Sequence, residues 1–425
     1  MKNSPLRLAL AKLIPVVLLA HFFLPMHAAE PSVNWVPEGL PPFPPPGKGL
    51  GAFLKPEQGQ AVLDAALKQF PDRASWDAYV RHARQRIQEG AGLAPWPKRT
   101  PLNPIVRSRR EFDGYSVENV AFESVPGYFV CGNLYRPLNA KPPYPVILST
   151  HGHGGLIKTP EDFEKQGRFT GTMQARGGTF ARMGAIVLSI EMVGYGDSIA
   201  QVGQDVHNRP FTQTLQIWNA TRALDFLLAL DGADPTRVAV SGESGGGTQS
   251  FLLTALDPRI TLSAPVVMVS SYFFGGCNCE SGTPIHHSAD HFVSNAMIAS
   301  FAAPRPMLVV SDGADWTQHV PQIEFPFLQK IYGYYGAEKN VANVHLPLEK
   351  HDYGPSKRAA VYRFIAERFG LSLAPTLDAA GNIDESHVTI EHHGAMHTWT
   401  EANPLPKSAL PDIAAVEARL HALQK

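Results

Sequence analysis

The sequence predicts an α/β fold with a mainly parallel sheet and helices on both faces, and three observations support this. Short apolar segments rich in β-branched residues recur at 145–150, 185–190, 237–241 and 306–311. Longer segments between them, such as 213–230, carry apolar residues at helical spacing. Glycine-rich turns follow several of these strands. Ligands bind at the carboxyl ends of strands in such sheets, so the turns are candidate sites.

Composition excludes some classes of protein and partner. The chain has 425 residues, of which 44% are hydrophobic and 18% charged, as expected of a globular protein with a large core. Its formal net charge of -1 argues against a nucleic-acid or anionic-membrane partner, because either would favour a basic surface. Three cysteines are too few for a disulfide framework in a chain of this size.

Residues 1–29 are predicted to be a secretory signal peptide. Basic residues precede a largely apolar run at 13–24, and the segment 26–29, which ends in two alanines, offers a small-residue cleavage zone. A membrane anchor is the alternative, but the apolar run is short for a span and contains Pro15. The prediction is therefore an exported protein, periplasmic or secreted, without stable membrane association after cleavage.

The next segments are predicted in chain order. Residues 30–55 are rich in proline and glycine and are expected to form an extended linker. Two amphipathic helices follow between residues 57 and 88, with Pro71 as the break. Period-two alternation at 115–123 and 128–136 then predicts an antiparallel hairpin.

Beyond the strand at 145–150 the elements alternate. The patterns predict helices at 172–183, 213–230 and 356–369 and further strands at 185–190, 237–241, 266–270, 306–311 and 344–348. An extra strand is expected within 386–399 and an amphipathic helix after Pro411. These elements make one domain at 56–425, comprising N-terminal helices at 56–100, a core at about 112–370 and an extension at 371–425.

Ser244 is the candidate nucleophile. Residues 242–246 have the pattern G-x-S-x-G between a predicted strand and a predicted helix. Such a turn exposes the serine, and the following N–H, at Gly245, would lie at a helix N-terminus that favours an oxyanion. A plain glycine-rich turn is the alternative, but the flanking strand and helix favour a nucleophile.

A serine nucleophile needs a base, and the base needs an orienting carboxylate. Asp315 follows the strand at 306–311 and is the preferred acid, with Asp312 as the alternative. Either aspartate could instead serve only in a turn or a helix cap. His351 follows the last predicted strand and is preferred as base over His319 and His345.

Residues 151–155, His-Gly-His-Gly-Gly, follow an earlier strand and could supply a second oxyanion donor. The backbone N–H of His153 is the first choice and that of Gly154 the second. A phosphate-binding loop is excluded because no Gly-Lys-Ser/Thr follows. The turn at 194–198, which includes Tyr195, is expected to shape a pocket.

Together, these motifs resemble an α/β-hydrolase, nearest the acetylxylan-esterase-like and dienelactone-hydrolase-like branch, over about residues 112–370. The resemblance implies a triad of Ser244, Asp315 and His351 and an oxyanion hole at Gly245 and His153. It implies a small acyl ester on a carbohydrate as substrate, and neither metal nor organic cofactor. A peptidase of the same fold and a non-catalytic binding protein are the alternatives.

Glu243 departs from the pattern of the resembled family, in which many members carry a neutral residue next to the nucleophile. Its side chain could stabilise the pocket, bind a substrate hydroxyl or cap the adjacent turn. Trp316, next to Asp315, is expected to line the pocket.

A possible metal site is suggested by two cysteines and three later histidines, because their side chains are common metal ligands. These residues are Cys277, Cys279, His286, His287 and His291. Their spacing is not that of a standard zinc module. The prediction is therefore no metal, and strained or free thiols in an insertion that lines the pocket.

Overall fold

The computed structural model describes residues 33–153 and 165–425. The predicted signal peptide lies outside these residues. Residues 33–425 form one compact unit of the chain. Within the two described ranges, no helix is both long and apolar enough to cross a membrane.

Nine strands of the described chain form one sheet in the order β1-β2-β3-β5-β4-β6-β7-β8-β9. The first three pair antiparallel, β3 pairs antiparallel with β5, and all pairs from β5 to β9 are parallel. The strands are β1 Ile105–Phe112, β2 Tyr115–Val125, β3 Tyr128–Pro137, β4 Tyr144–Thr150, β5 Ile186–Ile190, β6 Ala233–Glu243, β7 Leu262–Val266, β8 Met307–Asp312 and β9 Val341–Leu346. The predicted fold class is confirmed.

Helices flank this sheet and precede it. In the described residues they are α1 Pro56–Gln69, α2 Arg73–Gly90, α3 Gly171–Arg182, α4 Ile199–Val202, α5 Phe211–Leu228, α6 Gly245–Leu256, α7 Asn278–Ser281, α8 Asn295–Ser300, α9 Glu324–Gly333, α10 Pro355–Phe369, α11 His393–Met396 and α12 Ile413–Ala422. The predicted break between the first two helices and the predicted hairpin of β2 and β3 are both present.

Alternate residues of the central strands pack into two separate cores. Val146 and Leu148 of β4 join the cluster that includes apolar residues of α1, α2, α5 and α6. Ile147, between them, joins the cluster that includes α3 and α10. This alternation buries both faces of the sheet. A ligand site is therefore expected among the loops that follow the carboxyl ends of the parallel strands.

Two predicted strands need correction. The strand expected at 266–270 lies earlier, at Leu262–Val266, because Val267 has a φ of 47° and the backbone leaves the sheet there. The strand expected within 386–399 is wrong, since irregular chain and the short helix α11 occupy that segment. There the amide of Gln174 bonds the N–H and C=O of Glu391 at 2.8 and 3.0 Å, so a side chain satisfies the backbone.

The expected extended linker also differs from the structure, where residues 33–55 are irregular but packed on the domain. The N–H of Trp35 donates to the carbonyl of Asp290 at 3.0 Å, and that of Leu54 to Tyr272 at 3.1 Å. The ring of Phe43 stacks on His287 with centroids 3.5 Å apart. These contacts hold the proline-rich segment against the insertion that follows β7.

Candidate functional site

Ser244 lies at the sharp turn between β6 and α6. Its φ is 54° and its ψ -121°, a conformation that costs energy for any residue with a Cβ. The N–H of Ser244 donates to the carbonyl of Val266 on β7 at 3.1 Å, which holds the strained turn against the neighbouring strand. The side chain is thereby fixed at the carboxyl edge of the sheet.

Close backbone contacts explain the glycines around Ser244. A Cβ at Gly246 would lie 2.7 Å from the carbonyl oxygen of Thr150, at the end of β4, and one at Gly242 would lie 2.5 Å from it. A Cβ at Gly152 would lie 3.0 Å from the Cβ of Ser244. The loop after β4 therefore packs directly on the turn, and larger residues would separate them.

Asp315 and His351 meet across the ends of β8 and β9. The Nδ1 of His351 is 2.5 Å from Oδ2 of Asp315, and the other carboxylate oxygen accepts the N–H and hydroxyl of Thr317, both at 2.6 Å. The Asp315 side chain is only 3% exposed, whereas that of His351 is 32% exposed. The carboxylate is thus fixed and, by accepting from Nδ1–H, leaves Nε2 as the acceptor of the ring.

The alternative acid and base have other partners. The Oδ2 of Asp312 lies 3.2 Å from the buried Nζ of Lys357. Burial raises the pKa of Asp312, and the charge of Asp315 adds to the rise. His345 bonds to the hydroxyl of Ser311 at 2.9 Å. Of the two aspartates weighed from the sequence, Asp315 is the one bonded to His351.

Ser244 and His351 share the carboxyl edge of the sheet because β6, β7, β8 and β9 are consecutive and parallel. Among the described residues, no hydrogen bond joins the Ser244 hydroxyl to His351. Such bonds are often longer before substrate binds. Trp316 packs on the His351 ring at 4.6 Å between centroids and stacks on Phe273 at 3.7 Å, forming an aromatic wall beside the imidazole.

The two residues expected to supply the oxyanion donors, Gly245 and His153, are close to each other. Gly245 is the first residue of α6, so its N–H has no carbonyl four residues earlier in the helix. A Cβ at Gly245 would lie 2.9 Å from Cε1 of His153, which brings the loop after β4 beside the helix N-terminus. Gly154, the second-choice donor, lies outside the described residues.

Comparison with known proteins identifies the family. A family model described as acetyl xylan esterase (AXE1) matches residues 102–274, a segment that contains Ser244. The solved structure "Methylesterase BT1017" is 41% identical with a TM-score of 0.78, over 87% of this chain and 80% of that one. The chain belongs to the acetyl xylan esterase family of hydrolases.

Two further matches are more distant. A protein described as "Putative hydrolase YtaP", from Bacillus subtilis (strain 168), is 24% identical over 243 residues, which are 53% of this chain and 79% of the relative. The glucuronoyl esterase from Solibacter usitatus has a TM-score of 0.51 at 16% identity, over 70% of this chain and 94% of that one, and shares the fold. The expected resemblance to α/β-hydrolases is confirmed.

Glu243, next to the candidate nucleophile, pairs with a buried arginine. Its carboxylate is 3.0 Å from Nη1 of Arg176, whose side chain is fully buried. The same guanidinium donates to the hydroxyl of Ser149 at 2.9 Å and the carbonyl of Thr150 at 2.8 Å, and lies 4.4 Å from the ring centroid of Tyr353. Glu243 therefore compensates a buried charge beneath the turn, a role that the sequence did not reveal because Arg176 is distant along the chain.

Tyr195 supports the loop after β4 from the turn at 194–198. Its hydroxyl donates to the carbonyl of His153 at 3.4 Å, and its ring meets His207 edge-on at 4.9 Å. Asp197 in the same turn bonds to the buried Arg168 at 2.5 Å. Burial alone would raise the pKa of Asp197, but Arg168 holds that pKa below its usual value.

Cys277 and Cys279 meet two histidines, although not the ones that follow them in sequence. Nε2 of His153 lies 3.2 Å from Sγ of Cys277, 3.1 Å from Sγ of Cys279 and 3.0 Å from Nε2 of His207. We call these four residues the Cys/His cluster. A hydrogen bond from Cys279 lowers the pKa of the Cys277 thiol, whereas burial raises that of Cys279.

The three histidines considered with these cysteines from the sequence have other partners. His286 bonds to the carbonyl of Val293 at 3.0 Å, His291 to the hydroxyl of Ser288 at 2.7 Å, and His287 stacks on Phe43. Nearness along the chain suggested these residues, but the fold brings in His153 from the loop after β4 and His207 from the loop after β5 instead.

Proposed function

We propose that this hydrolase is an exported serine esterase that removes a small acyl group from a carbohydrate, with Ser244 as nucleophile, His351 as base and Asp315 as the orienting acid. One observation carries the assignment. The His351–Asp315 hydrogen bond of 2.5 Å lies at the same sheet edge as the strained turn at Ser244. A nucleophile, a base and a buried carboxylate, placed here after the parallel strands β6, β9 and β8, are the groups that acyl transfer by a serine enzyme requires.

In the proposed reaction, Oγ of Ser244 attacks the ester carbonyl while its proton passes to Nε2 of His351. The N–H groups of Gly245 and His153 hold the negative oxygen of the tetrahedral intermediate. His351 then gives the proton to the leaving alcohol, and a water molecule, deprotonated by the same imidazole, hydrolyses the acyl-enzyme. Asp315 keeps Nδ1–H in place throughout. Apart from the substrate and one water molecule, each step uses only side chains and backbone groups of this chain.

A carbohydrate ester is supported by membership of the acetyl xylan esterase family and by the aromatic wall of Trp316 and Phe273 beside His351. A flat apolar face next to the base suits the face of a sugar ring or a short acyl chain. Membership also favours ester over peptide cleavage.

A second candidate is cleavage of a methyl ester, supported by the 41% identical relative named a methylesterase. In that case the acyl part belongs to the larger molecule and methanol is the leaving alcohol. The proposed machinery is the same, so the released product distinguishes the two functions.

The experiment offers the mature chain, residues 30–425, acetylated xylan and a methyl-esterified polyuronate, and measures acetate and methanol. We expect acetate release by the wild type and none above background by Ser244→Ala. Methanol in place of acetate would overturn the acyl-sugar proposal and support the second candidate. Unchanged release by Ser244→Ala would contradict the serine mechanism for either substrate.

Export rests on the N-terminal sequence and has its own test. Full-length protein expressed in a Gram-negative host should be recovered outside the cytoplasm, with its N-terminus near Glu30. Recovery in the cytoplasm with Met1 retained would contradict export without affecting the proposed chemistry.

A further inference from the structure

The Cys/His cluster brings two thiols and two imidazoles from three loops to one point. His153 comes from the loop after β4, His207 from the loop after β5, and Cys277 and Cys279 from the insertion after β7. Their candidate ligand atoms, two Sγ and two ring nitrogens, all lie within 4.8 Å of one another. His207 and Cys279 are buried, whereas the His153 side chain is 32% exposed.

The donor set and its spacing suit a tetrahedral ion. Zinc binds thiolate sulfur at about 2.3 Å and imidazole nitrogen at about 2.0–2.1 Å, which separates neighbouring ligands by roughly 3.4–3.8 Å. The separations of 3.0, 3.1 and 3.2 Å around Nε2 of His153 are slightly shorter than this. A shift of a few tenths of an ångström in these side chains would open the cluster to the required size.

The surrounding hydrogen bonds orient the imidazoles as ligands. Nδ1–H of His207 donates to the carbonyl of Val193 at 2.7 Å, which leaves the lone pair of Nε2 directed at the thiols. Nδ1 of His153 faces Oε1 of Glu280 at 3.8 Å, and Glu280 is itself held by the N–H of Gly276 at 2.5 Å. Carbonyl and carboxylate groups behind ligating imidazoles are usual at zinc sites.

We propose that His153, His207, Cys277 and Cys279 bind one Zn²⁺ ion in a closed, four-ligand site. The two thiols release their protons to solvent when the metal–sulfur bonds form. Four protein ligands fill a tetrahedral shell, so the ion ties loops together and does not act as a Lewis acid. This proposal replaces the sequence-based expectation of a site without metal.

The site would fix the loop that the proposed esterase uses for its second oxyanion donor. His153 is both a ligand and a neighbour of Gly245, where an added Cβ would lie 2.9 Å from its ring. The N-terminal segment closes the insertion from outside, since the N–H of Leu50 donates to the Ser281 hydroxyl at 2.9 Å. Metal binding itself does not depend on the proposed function.

A disulfide between Cys277 and Cys279 is the competing state of the thiols in an exported protein. A disulfide would not explain why two imidazole nitrogens lie next to the sulfur atoms. It is also distinguishable by mass, because forming it removes two hydrogen atoms, whereas zinc leaves both sulfurs reduced after denaturation.

The first measurement is the metal content of the mature protein by inductively coupled plasma mass spectrometry. We expect about one zinc per chain in wild type, and at least a tenfold loss in His207→Ala and in the double variant Cys277→Ser/Cys279→Ser. Cys131→Ser, which removes the third thiol, on β3, is the matched control and should keep its zinc. Ser244→Ala should also keep it, which separates the metal site from the esterase proposal.

Two measurements use only the wild-type protein, so they test the proposal even if the variants fail to fold. Replacing zinc with Co²⁺ should produce a thiolate-to-cobalt charge-transfer band, and chelation should lower the melting temperature reversibly. Three results would each overturn the proposal. The first is the absence of both zinc and the cobalt band from wild type, the second is full zinc content in the double variant, and the third is a denatured mass reduced by two hydrogen atoms.

Discussion

Two groups of side chains lie at the same edge of the sheet as Ser244, and only one of them could be predicted from the sequence. On one side, Asp315 and His351 each follow a strand of the parallel sheet and form a 2.5 Å hydrogen bond. On the other, the Cys/His cluster is assembled from three loops. The fold dictates where strand ends meet, so motifs at strand ends identify a site, whereas loops leave their meeting points unspecified.

The two groups also differ in what their histidines can do. His351 is bonded to one fixed carboxylate, which suits a base that gains and loses a proton. His153 and His207 turn their Nε2 atoms to each other and towards the thiols, which suits fixed ligands. Changes on the first side should therefore affect the rate most, and changes on the second should affect stability as well.

The largest expected effect is that of His351→Gln. In serine hydrolases, loss of the base costs about 10⁵–10⁶-fold in kcat, and we expect a fall of that order here with little loss of stability, because His351 is 32% exposed. His345→Gln is the matched control and should retain kcat within about threefold, since His345 bonds to Ser311. An equal fall in kcat for both variants would show that the base has been misassigned.

Next is Asp315→Asn, for which we expect a fall in kcat of about 10⁴-fold through the wrong imidazole tautomer. Asp312→Asn should leave kcat nearly unchanged but lower the free energy of unfolding by about 1–3 kcal/mol, because Asp312 faces the buried Lys357. Steady-state kinetics and urea unfolding of both variants provide the test. Reversal of the two outcomes would make Asp312 the acid.

A smaller effect on rate is expected from removing zinc. If the ion only positions the loop of His153, chelation should lower kcat by about 10–100-fold, no more than the loss of one oxyanion donor. The melting temperature should fall at the same time and recover with added zinc. Loss of kcat as large as that of His351→Gln, with the fold intact by circular dichroism, would contradict a purely positioning role.

The smallest expected effect is that of Glu243→Gln. It removes the charge that faces buried Arg176, so the free energy of unfolding should fall by about 1–3 kcal/mol while kcat and KM change less than about threefold. Urea unfolding measures the free energy of unfolding, and steady-state kinetics measure kcat and KM. A raised KM with unchanged stability would instead support the alternative that Glu243 binds a substrate hydroxyl.

Much of the fold could be predicted because local patterns agreed with the tertiary structure. The apolar strand before Ser244 and the two helices broken at Pro71 are examples. The edge strand β1 was not predicted, since its several arginines hide the alternation, and its charge suits an edge. Residues 33–55 were misjudged because proline-rich composition describes local conformation and cannot reveal packing partners more than two hundred residues away.

The predicted site divides in the same way. Ser244, Asp315 and His351 stand out because each follows a predicted strand, and the parallel sheet then brings the strand ends together. His207 had no such context, and Arg176 lies within α3, where a buried charge cannot be told from an exposed one by sequence. Both become apparent only through their partners, His153 and Glu243.

Labelling by a fluorophosphonate, followed by intact mass measurement and peptide mapping, tests most directly whether Ser244 is the nucleophile. Wild type and zinc-depleted protein should each gain one adduct, mapped to Ser244, and Ser244→Ala should gain none. An adduct on another residue, or wild type that does not label, would contradict the claim that Ser244 is an activated nucleophile.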